Sequence, residues 1–227
     1  MAIEGTLPAV FRHLPPVTFI AANGIAAKVL AEPTPAAPGN TPALYGGSTL
    51  IDITASSSDT VNRDLQLYVA NQTTTVGTAT GMASVTLQTV VRANGDFIAD
   101  GWRVGDLLML FAPAGAAAQA SEGVLGIVTA AASSTLTVNG TPFTAVGSLT
   151  AGTRICRVKP HLRVTLPANA GSDGITPTVG LLNHGKDGAA VRSELKLDAA
   201  SLLVAALPVA ISALPAFASL SAVVALY

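Results

Sequence analysis

STLIDITASSSDTVNRDLQLYVA (residues 48–70) reads as two strands around a turn. In its second half Leu65, Leu67 and Val69 alternate with Asp64, Gln66 and Tyr68. A period of two sends successive side chains to opposite faces, so this stretch predicts a sheet with one buried face. Ser58-Asp59-Thr60 supplies the polar residues that a turn favours. The same alternation returns in HLRVTLPA (residues 161–168), where Leu162, Val164 and Leu166 alternate with His161, Arg163 and Thr165.

Between these two stretches lie VTLQTVV, DLLMLF, GVLGIVTA and STLTV, short apolar runs separated by Asn94-Gly95, Pro113-Ala114-Gly115 and Asn139-Gly140. Asn-Gly tolerates positive φ at both positions of a tight hairpin turn. Short strands at this spacing predict a small barrel or sandwich. After HLRVTLPA come the loop AGSDGITP, the strand-like SELKLD and an uncharged tail, Ala199–Tyr227. No helical periodicity extends beyond about ten residues, so the predicted class is all-β. The expected architecture is a jelly-roll-like β-sandwich of residues 48–71 and 159–227, with a small β-barrel of residues 72–158 inserted into it. Residues 1–47 are expected to form an extended N-terminal arm. Within it VTFIAANGIAAKVL offers one or two strands or a short helix, and AEPTPAAPGNTPALYGG cannot build a core of its own.

Composition narrows the function. Of 227 residues, 12 are Lys or Arg and 13 are Asp or Glu, a formal net charge of −1 that offers no cation surplus for nucleic acid. Only 11% of residues are charged and 50% are hydrophobic, so much of the surface is expected to be covered by neighbours. With 4% aromatics the core has to be aliphatic, and the single Cys156 excludes an internal disulfide framework. MAIEGTLPAVFRHLPP carries Glu4 and Pro8 where a secretion signal needs cations and an apolar run, so none is expected. The tail is long enough to span a bilayer, but Pro208, Pro215, Ser212, Ser219 and Ser221 break it into strand-like pieces, and no membrane partner is expected. The Leu202–Tyr227 stretch is instead expected to be β-structured and buried.

A search for catalytic chemistry finds fragments. Gly180, Gly185 and Lys186 match part of a phosphate loop, yet Asp187 stands where the magnesium-binding hydroxyl belongs. His13, His161 and His184 have no zinc spacing. Asp96, Asp100, Asp106 and Asp173 sit beside glycines without the ligand spacing of a calcium loop, and they read as turn residues. Cys156 lies between Arg154 and Arg157 with no partner base in a recognisable motif. Asn71 and Asn139 match a glycosylation pattern that has no meaning without secretion. The chain is therefore expected to be no enzyme, with no cofactor and no metal.

Two stretches carry a resemblance. RANGDFIADGWRVGDLLML (residues 92–110), followed by GVLGIVTAAASSTLTVNGTPF (residues 123–143), resembles a small β-module of tailed-bacteriophage structural proteins. Phe97 and Trp102 would be its anchors, Asn94-Gly95 a turn, Gly105-Asp106 a bend and Asn139-Gly140 a paired hairpin. Residues 48–70 together with HLRVTLPANAGSDGITPTVGLLN (residues 161–183) and the closing apolar strands are similar to a phage virion pattern: strand, Ser/Thr-Asp-Thr turn, strand, Pro-Ala-x-Ala-Gly loop, terminal Tyr. The resemblance implies a structural protein of a tailed-phage virion, assembled in the host bacterial cytoplasm. A capsid decoration or cement protein is expected, bound to copies of itself and to virion proteins such as the major capsid protein. The alternatives are a tail-tube or head-tail connector subunit and, from another class, a carbohydrate-binding module of a receptor-binding fibre. A sugar site needs aromatics to stack on, and one Trp and three Tyr offer few. A hydrolase is the third class, since folding could bring two acids together. The expected interface residues are Leu7, Val10, Phe11, Leu14, Val17, Phe19 and Ile20 in the proline-stiffened arm, and Leu214, Phe217 and Leu220 in the tail.

Overall fold

The structure is a computed structural model that describes residues 10–14, 16–31, 47–76, 84–112, 120–147, 149, 153–180, 195–198, 201–211 and 216–226. It is all-β, built from two sheets as in a β-sandwich, one of them curled as a half-barrel. No α-helix occurs among the described residues, and none of their helices is long and apolar enough to cross a membrane.

The strands are β1 Val10–His13, β2 Val17–Ile20, β3 Lys28–Ala31, β4 Gly47–Ser57, β5 Arg63–Val76, β6 Ser84–Val85, β7 Thr89–Val91 and β8 Leu107–Phe111. They continue as β9 Gly126–Ala131, β10 Thr135–Val138, β11 Thr153–Leu166, β12 Val179–Gly180, β13 Leu195–Asp198, β14 Ser201–Ala206 and β15 Phe217–Leu226. A 3-10 turn, Ala21–Asn23, follows β2. One sheet runs β1-β15-β4-β12, with β2 also on β15 and β13 also on β4. The other runs β3-β14-β5-β11-β8-β9-β10-β7-β6.

The chain divides into two units. The first comprises residues 1–24, 29–66 and 163–227, and the second residues 25–28 and 67–162. The insertion thus begins at Leu67 and ends at Leu162, where the sequence suggested 72 and 158. The long strands β5 and β11 each pass from one unit into the other. Burial along β5 changes phase at this boundary. Leu65 and Leu67 are buried with Asp64 and Gln66 half-buried, then Tyr68 and Ala70 are buried and Val69 is not. Tyr68, read as a polar-face residue, faces inward because the covered side of the strand switches.

In its described part the arm is not a separate element. Residues 10–20 form an outer row along β15, with Val10 opposite Leu226, His13 opposite Val223 and Val17 opposite Leu220. The Leu14 N–H donates to the Ala222 carbonyl at 2.9 Å, and Pro16, which has no N–H, sits in the gap between β1 and β2. Proline is compatible with an outer row, where one side of the backbone needs no partner. Ala27 is buried in the second unit, its N–H donating to the Gly123 carbonyl at 2.9 Å. Strand pairing rather than proline extension decides this segment, because β15 offers a row of backbone groups that must be satisfied.

In its described part the tail is β-structured, and the chain's own fold buries β14 and alternate residues of β15 while Val209 and Phe217 stay exposed. All six residues of β14 are buried, as in a strand covered on both faces, and β15 buries Ala218, Leu220 and Ala222 in alternation. In the second unit Phe97 and Trp102 anchor a core with Val90, Leu108, Leu110, Val128, Leu136 and Ile155. Their rings meet edge to face, centroids 6.2 Å apart at 83°, a contact that adds about 0.5–1.5 kcal/mol beyond area burial. The tight connection between β9 and β10 runs through Ala132–Ser134, closed by the Ala132 N–H on the Thr135 carbonyl at 2.8 Å. Asn139-Gly140, expected to turn a paired hairpin, instead leads out of β10 into a longer stretch before β11.

Candidate interface

In the first unit three distant stretches clasp one another. The turn after β4 is built on Ser57 and Asp59, both fully buried. The Asp59 N–H donates to Ser57 Oγ at 3.1 Å, and the Val61 N–H donates to Asp59 Oδ1 at 3.2 Å. Arg63 Nε donates to Asp59 Oδ2 at 2.8 Å, so the buried carboxylate faces a buried guanidinium. The Pro-Ala-x-Ala-Gly loop after β11 closes on this turn. Asn62 Oδ1 accepts from the Ala168 N–H at 2.9 Å, the Asp59 carbonyl from the Asn169 N–H at 2.9 Å, and the Ser57 carbonyl from Ser172 Oγ at 2.8 Å. The Ser57 N–H donates to the Ala170 carbonyl at 2.7 Å. The start of β15 is the third part: the Phe217 N–H donates to Ser58 Oγ at 3.0 Å, and its carbonyl accepts from the Ser58 N–H at 2.9 Å. Asn169 has φ +55°, a left-handed conformation that Asn tolerates better than most residues.

The rest of that loop is held by one carboxylate. Asp173 Oδ1 accepts from the Thr176 N–H at 2.7 Å and the Ile175 N–H at 2.9 Å, and Oδ2 accepts from Thr176 Oγ1 at 3.0 Å. The Thr176 and Ile175 backbone donors hold its pKa below the ordinary carboxylate value. Both oxygens serve the turn, so the GSDG stretch is a loop brace. It displays Ile175, which is 86% exposed. Val61 on the adjoining turn is 52% exposed and Phe217 is 36% exposed. Three exposed apolar side chains thus stand on two loops and the start of β15, segments tied together and pre-ordered by hydrogen bonds.

The aspartates of the second unit are also engaged within the fold. Asp96 Oδ1 accepts from the Ile98 N–H at 2.7 Å, and Asp100 pairs with Arg92 at 2.5 Å. Asp106 Oδ2 accepts from the Arg103 N–H at 2.9 Å and lies 3.4 Å from Arg157 Nε. Arg92 stacks over Phe97 at 4.8 Å and Arg157 over Trp102 at 5.2 Å, so the carboxylates fix two guanidinium groups over the core rings. Among the described residues no group of three or more His, Cys, Asp or Glu is placed to hold a metal ion. Cys156 is buried, and His13 and His161 are exposed. Residues 181–187 of the phosphate-loop-like stretch, with His184, lie outside the described residues.

Of the expected interface residues, Leu7 and Leu214 also lie outside the described residues. Val10 and Phe11 belong to β1 on β15, and Leu14, Val17 and Ile20 are half-buried. Phe19 and Leu220 are buried in the chain's own fold, so Phe19 is no apolar tooth of a free arm and Leu220 is no exposed residue of the tail. Among the described side chains of that set, Phe217 is the exposed one. Val61 and Ile175 were missed. The signal that could have found them is an apolar residue inside a polar turn sequence, DTVN and DGIT, where nothing local can bury it.

Comparison with family models, curated proteins and solved structures finds no match to this chain.

Proposed function

We propose that this chain is a structural component of a tailed-phage virion, a decoration or cement protein that binds the head and contacts copies of itself and the major capsid protein. The observation that carries the reading is the clasped surface bearing Val61, Ile175 and Phe217 in a chain with 11% charged residues. Apolar side chains on pre-ordered loops lose little entropy on docking, which suits a permanent assembly contact. The turn roles of Asp96, Asp100, Asp106 and Asp173 fit a scaffold rather than a catalyst.

The test has two arms. Antibody labelling of the native particle, imaged by electron microscopy, should decorate the head. Label along the tail would favour the tube or connector reading, and label at fibre tips the carbohydrate-binding one. Ile175→Asp should then leave the melting temperature almost unchanged and weaken attachment to heads lacking the protein about ten- to a hundredfold, since burying an Ile contributes about 1.5–3 kcal/mol. Unchanged attachment would remove this surface from the interface.

A further inference from the structure

The strands of the outer row of residues 10–20 pair with a single strand. β1 and β2 both pair with β15, on opposite sides of the gap at Pro16, and β15 keeps β4 on its other edge. The row leaves β15 through a small hinge. There the Ile20 N–H donates to Asn23 Oδ1 at 2.9 Å and the Gly24 N–H donates to the Ala21 carbonyl at 3.1 Å. Gly24 has φ +56°, a conformation that glycine adopts without strain, and a side chain there would meet nothing within 4 Å.

We propose that β15 is a docking site for residues 10–20 of a second copy of this chain, so that neighbouring copies exchange their N-terminal rows. The occupant is defined by the register already present: Thr18 opposite Ser219, Phe19 opposite Ala218, His13 opposite Val223. An exchanged row makes the same ladder bonds and buries the same Phe19, so the two arrangements differ in the hinge and in the entropy of association. Each hinge hydrogen bond contributes about 0.5–1.5 kcal/mol net, so opening the turn at Ile20 and Gly24 costs little beside the ladder that the exchanged row restores. A tethered strand meets its own partner at an effective concentration of about a millimolar, so the dilute chain stays closed and a crowded one exchanges. A virion surface supplies that crowding. The inference deepens the assembly reading and rests on it for the setting only, because the exchange itself is a property of the purified chain.

Thr18 and Ser219 are Cα partners with their hydroxyl oxygens 3.4 Å apart, which suits an engineered disulfide. In one chain, Thr18→Cys with Ser219→Cys should form an intramolecular cross-link under oxidised glutathione at low concentration. If it does not, the register is wrong and the proposal fails. Chains carrying Thr18→Cys alone and Ser219→Cys alone, differently tagged, are mixed at about 1 mM and at about 1 µM and then oxidised. Exchange predicts a covalent heterodimer enriched at least tenfold at the higher concentration. It also predicts no such product when Ser133→Cys, on an exposed turn of the second unit, replaces Ser219→Cys as a collision control. Heterodimer at the control level overturns exchange. That result would leave the head-labelling outcome untouched, so the two readings fail separately.

Discussion

Gly123 has φ +70°, and a Cβ placed on it would collide with the backbone carbonyl of Ala27. Gly140 has a similar φ of +68° but open space around it. The two positions separate backbone strain from steric exclusion. Gly140→Ala should cost about 1 kcal/mol, the left-handed penalty alone. Gly123→Ala should cost about 3 kcal/mol or more, since the obstacle is backbone and cannot rotate away. Thermal melts of the two variants check this. Asp59 offers the same contrast among charges. Removing one partner of a buried pair leaves the other uncompensated, so Asp59→Ala should destabilise by about 3–5 kcal/mol, measured by urea denaturation. Asp64, paired with Arg163 on the surface, should change little when replaced.

At the scale of elements, the row of residues 10–20 is part of the first unit's sheet, so deleting it removes a strand and does not merely trim a tail. Phe19→Ala should destabilise by about 3–5 kcal/mol, read from the denaturation midpoint at unchanged slope. A free arm would lose nothing. This row shows why part of the fold was illegible. β1 and β2 are four residues each, Pro15 and Pro16 interrupt their period, and their partner lies about two hundred residues away. Where strands are long, as in β4, β5 and β11, alternation announced them. The β9–β10 turn was hidden because Ala132-Ser133-Ser134 contains none of the glycine or asparagine that marks a tight turn, whereas Asn139-Gly140 carries that mark without forming one. Phe97 and Trp102 were readable as anchors because a chain so poor in aromatics has few other candidates. The surface at Val61 and Ile175 was not, since exposure there depends on contacts between the turn, the Asp173 loop and β15.

For the whole molecule, the response to acid follows from carboxylates already named. Hydrogen bonds from the Arg163 and Thr165 side chains lower the pKa of Asp64, as backbone donors lower that of Asp173. A carboxylate with a depressed folded pKa stabilises the fold above its unfolded value and loses that contribution as pH falls through the folded one. Asp64 belongs to a surface pair and adds little, so Asp173 should leave the melting temperature flat from about pH 7 to pH 5 and pull it down below about pH 4. Asp173→Asn should melt lower at neutral pH and fall less steeply in acid, as calorimetry across that range would show.

The passage of β5 and β11 between units has a further consequence for how such a gene can change. Gln66 and Arg163 bound the first unit at the junction on two neighbouring strands, and within that unit Asp64 of β5 holds Arg163 and Thr165 of β11. The open ends of the first unit therefore lie on neighbouring strands, as the ends of a hairpin do. To the first unit, residues 67–162 are an insertion between two neighbouring strands. Recombination at this one position could swap, shorten or discard the middle of the coding sequence while the flanking exons of structure keep their register, which makes the junction a natural port for grafting foreign cargo.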